Sequence, residues 1–258
     1  MRYALFYTPP VSNGLTQIAA KWLGRDAYSG VFYKQPVHGT QNSTHPGTHT
    51  NTLSADRIAD LTNAPRRYGF HGTLKAPFHL SEGQSEDQLV NAMKRFCKSR
   101  EAFAMPRLKV GRLGHFFALV PDSNASDLSR FAAEIVRYFD IFRAPLSEAD
   151  YARRNPDRLE EQQRAYLQQW GYPYIFDAFR FHMTLTGAVP DEEADQMEDI
   201  LKARFDPLLQ NQLMCDHLTL FCEVEKGAPF IVHTAVPLGP LDPLGPLASS
   251  PNTKAQSL

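Results

Sequence analysis

No apolar run in this chain approaches the roughly eighteen residues that a membrane-spanning helix needs, which excludes a helical span. Cysteine is scarce. Cys97, Cys215 and Cys222 are the only three, an odd number with no CxxC pair, so no disulfide framework is expected and a reducing cytoplasm is the simplest location. Net charge of either sign is also missing: 27 Lys and Arg against 28 Asp and Glu give a formal −1. That balance excludes the broad basic footprint of a protein that binds long nucleic acid irrespective of sequence, so any recognition of phosphate has to be local. The opening MRYALFYTPP alternates briefly and stops at two prolines, with no signal-peptide cleavage pattern. What is left is an ordinary globular composition, 43% hydrophobic and 21% charged in 258 residues. This is enough chain to bury a substantial core, as one large domain or two small lobes.

A short pattern occurs twice. Phe70-His71-Gly72-Thr73-Leu74 is echoed by Phe181-His182-Met183-Thr184-Leu185. In extended chain, residues i and i+2 share a face. His71 and Thr73 therefore look one way while Phe70, Gly72 and Leu74 look the other; His182 and Thr184 repeat this against Phe181, Met183 and Leu185. Each copy has an apolar back for a core and a polar front for a cleft. The same parity adds Arg67 and Lys75 to the first front, and Arg180 and Thr186 to the second.

Around these two stretches the pattern alternates between strand and helix. Strands are expected near 2–8, 68–78, 106–111, 115–120, 177–187, 213–224 and 229–236. Helices are expected at 14–24 with Gly24 as stop, 54–61 after the cap Ser54, 86–99 after Ser85, and 125–142. A polar helix should end at Trp170-Gly171, and another should carry Met197, Ile200, Leu201 and Phe205 on its core face. The order reads strand, helix, motif strand, helix, two strands; then helix, motif strand, helix, two strands. This predicts an α+β fold formed by a duplicated unit: two pseudo-symmetric lobes, each with an antiparallel sheet, flanking a central cleft with helices on the outside. Residues 1–238 form the expected domain. Residues 38–52 read as a flexible loop insertion and 239–258 as a disordered Pro/Gly/Ser-rich tail. His38, His45 and His49 fall in the loop. No helix or paired carboxylate fixes them, so a mobile flap is expected there and no metal site.

The doubled motif resembles the two-histidine (2H) phosphoesterase superfamily, whose members carry two His-x-Ser/Thr strands facing each other across a cleft. WLGRDAYSG (22–30), YGFHGTLKAPF (68–78), FRAPLSEADYARRNP (142–156), WGYPYIFDAFRFHMTLTG (170–187) and a terminal PF-strand-PL are similar to one branch of it, encoded among phosphonate-utilisation genes. The likeness runs over about residues 1 to 238 and implies the 2H phosphoesterase, or RNA ligase-like, fold. It also implies a hydrolase, a cyclic phosphodiesterase opening a small sugar or nucleotide cyclic phosphate. In phosphonate use that substrate would be ribose 1,2-cyclic phosphate bearing a 5-phosphate. Processing of 2′,3′-cyclic phosphates at RNA ends or on nucleotides is the second enzymatic reading. A non-catalytic module that binds a phosphorylated metabolite is the third.

The chemistry suits the residues. In-line attack at phosphorus needs a base for the incoming oxygen and an acid for the departing one, and imidazole titrates near a pH of about 6.5. His71 and His182 are the candidate catalytic pair, with the Thr73 and Thr184 hydroxyls holding the non-bridging oxygens. Lys75, Arg180, Arg67, Thr186, Arg143, Tyr172 and Tyr174 are the candidate phosphate- and substrate-binding residues. Arg143, Arg153 and Arg154 form a local basic patch that a second phosphate could use. Neither metal nor other cofactor is called for, and the expected partner is a small phosphorylated metabolite. A plainer reading makes the two histidines half-buried residues bonded to backbone, with threonine chosen for strand propensity.

Overall fold

A computed structural model describes residues 1–34 and 53–239. The histidine-bearing loop at 38–52 and the tail from 240 onward lie outside the described residues. Among the described residues no helix is long and apolar enough to cross a membrane.

The chain is α+β. Its central sheet is built from β1 (Arg2–Tyr7), β2 (Gly72–Phe78), β4 (Leu108–Leu113), β5 (Phe116–Pro121), β6 (Met183–Thr184), β8 (His217–Glu223) and β9 (Ile231–Pro237). These run in the order β4-β5-β6-β2-β1-β8-β9, and every neighbouring pair is antiparallel. Two short strands, β3 (Phe103–Ala104) and β7 (Met214–Cys215), pair separately. The helices are α1 (Gly14–Leu23), α2 (Ala55–Arg66), α3 (Glu86–Lys98), α4 (Ser126–Tyr138), α5 (Glu148–Ala152), α6 (Glu161–Trp170) and α7 (Ala194–Phe205).

Strand alternation divides this sheet into two unequal faces. Leu5, Leu74, Leu119, Met183, Leu218 and Leu220 point into the main core, together with Trp22, Ile58, Phe96, Ile135 and Leu201 from the helices. Ala4, Phe6 and Phe221 point the other way and pack with Ala27 and Phe230 in a small second cluster. One face is thus covered by helices. The other is left partly open, and the motif residues stand on it.

The expectation of two sheets, one per lobe, is corrected here. Both motifs lie in a single sheet as neighbours, joined where Gly72 pairs with Met183. The β4–β5 hairpin, which follows the first motif in the chain, packs beside the second. The β8–β9 hairpin follows the second motif and packs beside β1, next to the first. Gly72 permits the join: a Cβ there would sit 2.5 Å from the Phe181 ring, inside contact distance.

Two element lengths also differ from expectation. The helix expected to stop at Leu61 continues to Arg66, because the Arg66 guanidinium folds back onto the Ala59 carbonyl and the Thr62 hydroxyl and reaches the Leu23 carbonyl. The second motif strand, expected over 177–187, keeps ladder pairing only at Met183–Thr184. Residues 176–178 form a 3-10 turn. Beyond β6, the Leu185 and Thr186 N–H groups both donate to the Phe117 carbonyl, Gly187 donates to Leu61, and the Leu185 carbonyl accepts from the Trp22 indole at 2.9 Å. Those backbone groups are satisfied individually, with no need for a long ladder.

Candidate functional site

The site grows out of the Gly72–Met183 pair. Directly opposed residues of an antiparallel ladder share a face, so Gly72 and Met183 both look toward the helices. Stepping one residue outward along each strand sets His71 opposite Thr184 and Thr73 opposite His182. All four side chains stand on the open face, and all four are half-buried. On the other side of β2, Phe6 pairs with Thr73, and its ring stacks on His71 with centroids 4.0 Å apart.

Several contacts hold His71 in place. The chain turns sharply at Gly69, whose φ of 76° is left-handed and whose missing Cβ would otherwise meet Ala27 at 2.5 Å. The buried Arg25 guanidinium donates to the carbonyls of Arg66, Arg67 and Phe230, and the Thr8 hydroxyl donates to the Phe70 carbonyl. His71 Nδ1 lies 2.9 Å from the Gly69 carbonyl. A carbonyl can only accept, so Nδ1 carries the proton and Nε2 the lone pair of the neutral ring. Thr73 Oγ1, 3.3 Å away, donates to that lone pair. Burial lowers the His71 imidazole to about 4; the Gly69 carbonyl opposes this, and repulsion by His182 adds to it.

His182 has a matching environment. Its Nδ1 is 2.7 Å from the Arg180 carbonyl, and its ring centroid lies 5.7 Å from that of Phe116. Both imidazoles are therefore tied at Nδ1 to the carbonyl two residues earlier, which leaves Nε2 with the lone pair of the neutral ring in each; that of His71 accepts from Thr73.

In front of the strands lies an open cleft of about 820 Å³. His71, Thr73 and Thr184 line it; the His182 ring does not. Arg67 also lines it, bonded to Glu223 and lying 5.7 Å from the Tyr68 ring centre. Glu223 is fully buried beneath, shared between Arg2 and Arg67. Burial acts to raise its carboxyl, but hydrogen bonds from Arg2, the Gly227 N–H and Arg67 together hold it at about 2.

The remaining predicted residues are placed differently. Lys75 was expected beside the histidines but turns toward the helices. β1 and β2 fall out of step between Leu5 and Phe6, so that Leu5 pairs with Lys75 while Phe6 pairs with Thr73. Such a bulge reverses the parity beyond it, and Lys75 follows core-facing Leu5. Its amine meets Asp140 at 3.2 Å and the Val136 carbonyl, and burial lowers it to about 8 against the pull of Asp140. Thr186 does line the main cleft, but it is buried at the cleft wall and its hydroxyl is engaged, accepting from Phe117 N–H and donating to the Gly187 carbonyl. Arg180 is exposed and donates to the Asp177 and Phe179 carbonyls. Arg143 is held by Asp140 and the Gln169 carbonyl and lines a separate small cavity. Tyr172 lines both that cavity and the main cleft, while Tyr174 is exposed and lines neither. Sequence reasoning assigned nothing to Arg2, Phe6, His79, His115, Phe116 or Lys226, all of which line the cleft. For Phe6 a signal existed, since alternation along RYALFY separates Phe6 from Leu5 and Tyr7.

Comparison with known proteins adds a family and a correction. Residues 73–231 match the family described as "Protein of unknown function (DUF1045)". The chain belongs to this family. Two curated relatives are proteins named ribose 1,5-bisphosphate phosphokinase PhnN. The one from Janthinobacterium sp. (strain Marseille) is 38% identical over 240 residues, covering 92% of this chain and 50% of that protein. The one from Laribacter hongkongensis (strain HLHK9) is 32% identical over 232 residues, covering 89% and 50%. The chain spans about half the length of these relatives, so their named activity is that of a protein twice its size. The expectation of a phosphoric diester hydrolase is corrected by these names, which describe a phosphokinase, a transferase, and no phosphodiesterase.

Proposed function

We propose that the cleft binds a small phosphorylated ribose and acts on its phosphate by phosphoryl transfer between oxygens. His71 takes the proton of the attacking oxygen as its P–O bond forms, and His182, as the imidazolium, gives a proton from Nε2 to the departing oxygen as its P–O bond breaks. The observation that carries this reading is the register at the Gly72–Met183 pair, which sets two imidazoles and two threonine hydroxyls on one open face. His71 presents a lone pair at Nε2, as an acceptor must. The Thr73 and Thr184 hydroxyls hold the non-bridging oxygens, and Arg67 supplies charge from the cleft wall. The choice of a ribose phosphate draws on the relatives' names and on the resemblance of the doubled motif to the 2H superfamily and its phosphonate-utilisation branch.

A second reading, a binding module without chemistry, is favoured by one observation: an imidazole lowered to about 4 is a weak base at neutral pH. Phosphorus NMR of the purified protein with a panel of ribose phosphate esters separates the two. Transfer gives new phosphorus resonances at a rate that His71→Ala or His182→Ala lowers by roughly 10²–10⁴-fold, the usual contribution of one acid–base group. The double variant loses far less than the product of the single losses, because the pair acts as a unit. Saturable binding with no new resonance from any ester would favour the binding module.

A further inference from the structure

The segment FRAPLSEADYARRNP contributes three arginines to the region, and the structure gives them different partners. Arg143 is fully engaged by Asp140 and two carbonyls. Arg153 is exposed and paired with Asp150 at 2.7 Å. Arg154 is half-buried and makes no side-chain hydrogen bond or ion pair among the described residues; its guanidinium lies 5.0 Å from the Tyr172 ring centre. The Tyr172 hydroxyl has no hydrogen-bond partner among the described residues either. Both residues line the main cleft, and both also line the adjoining cavity that contains Lys75. The cavity measures about 40 Å³; of its five Lys and Arg side chains, Arg2 pairs with Glu223, Lys75 and Arg143 share Asp140, and Arg153 pairs with Asp150. A water needs about 10–15 Å³ on this measure, so a group of several heavy atoms fits.

We infer that Arg154 and Tyr172 form a second anion subsite where the cleft meets this cavity, so that the substrate carries two phosphates, one at the histidines and one at Arg154. This deepens the proposed function and rests on it. An arginine lying over an aromatic ring keeps its planar edge free for two phosphate oxygens, and it is already oriented before the ligand arrives. The phenol hydroxyl beside it offers a further donor. The other four cations of the cavity are held by Glu223, Asp140 and Asp150, whereas Arg154 has no carboxylate partner among the described residues, so its charge is the one open to a second phosphate.

Calorimetric titration tests this, using ribose carrying one phosphate at C1 or at C5 and ribose carrying both. The wild-type chain is expected to bind the bisphosphate about 10- to 100-fold more tightly than the better monophosphate, the range expected for one charge-assisted contact. Arg154→Gln removes this preference while leaving the better monophosphate within about twofold of wild type. Arg154→Lys keeps the charge but not the fork and gives an intermediate loss, which also covers the case of a glutamine variant that fails to fold. Equal weakening of both ligands by Arg154→Gln, or weakening of neither, overturns the second subsite and leaves the first standing. The same holds if the wild type binds monophosphate and bisphosphate alike. Failure of the wild type to bind any of the three overturns the proposed function itself, and the subsite with it.

Discussion

His71 is the residue whose surroundings say most about its state. Phe6 covers one face of its ring, Gly69 accepts from Nδ1, and burial lowers it to about 4 from an ordinary 6.5. The folded form therefore refuses a proton that the unfolded chain accepts. Above pH 6.5 neither state is charged at this position and the contribution to stability is complete. As the pH falls toward 4, the unfolded chain gains protons first and stability declines, by up to roughly 3 kcal/mol from this group. Urea unfolding at pH 7 and pH 4.5 is expected to show this decline in the wild type and a flatter profile in His71→Gln. A decline of the same size in both would mean that His71 is solvated. At this scale the motif residues were legible, because a strand has period two and the pattern occurs twice. Lys75 was not. Parity holds only while the register holds, and the bulge opposite Leu5 is not written in the local sequence.

Among the elements, the seam between β2 and β6 matters most, and it is short. β6 has two ladder residues, and the fit of Gly72 against Phe181 closes the seam. Gly72→Ala places a methyl group into the Phe181 ring, and overpacking of this kind costs about 1–3 kcal/mol. We expect thermal melting to drop accordingly, and the ring-proton shifts of both His71 and His182 to change because the strands that carry them separate. A variant with wild-type stability and unchanged histidine shifts would show that the seam yields without consequence. Helix starts at Ser54 and Ser85 and the stop at Gly24 were readable from cap chemistry. The ends of α2 and β6 were not, because long-range partners fix them: Leu23 for Arg66, and Trp22, Phe117 and Leu61 for the backbone of 185–187.

Over the whole molecule, the alternation of strands and helices indicated an α+β fold and two related halves, but not how the halves combine. The first half's hairpin lies next to the second half's motif strand, and the second half's hairpin lies next to β1 of the first half, so a single antiparallel sheet takes the place of two. Local periodicity cannot reveal this, since it specifies which face a strand buries and not which strand it pairs with. The arrangement brings the two histidines to adjacent strands, yet only His71 lines the cleft in front of them. The central claim is that one small ligand engages both. The direct measurement is nitrogen-15 NMR of histidine-labelled protein, assigned with His71→Gln and His182→Gln, during titration with ribose phosphates. The account predicts that the Nε2 resonances of His71 and His182 shift together along one saturation curve, while His233, paired with Glu86 away from the cleft, stays still. A ligand that moves His71 alone, or that saturates without moving either ring, would contradict it.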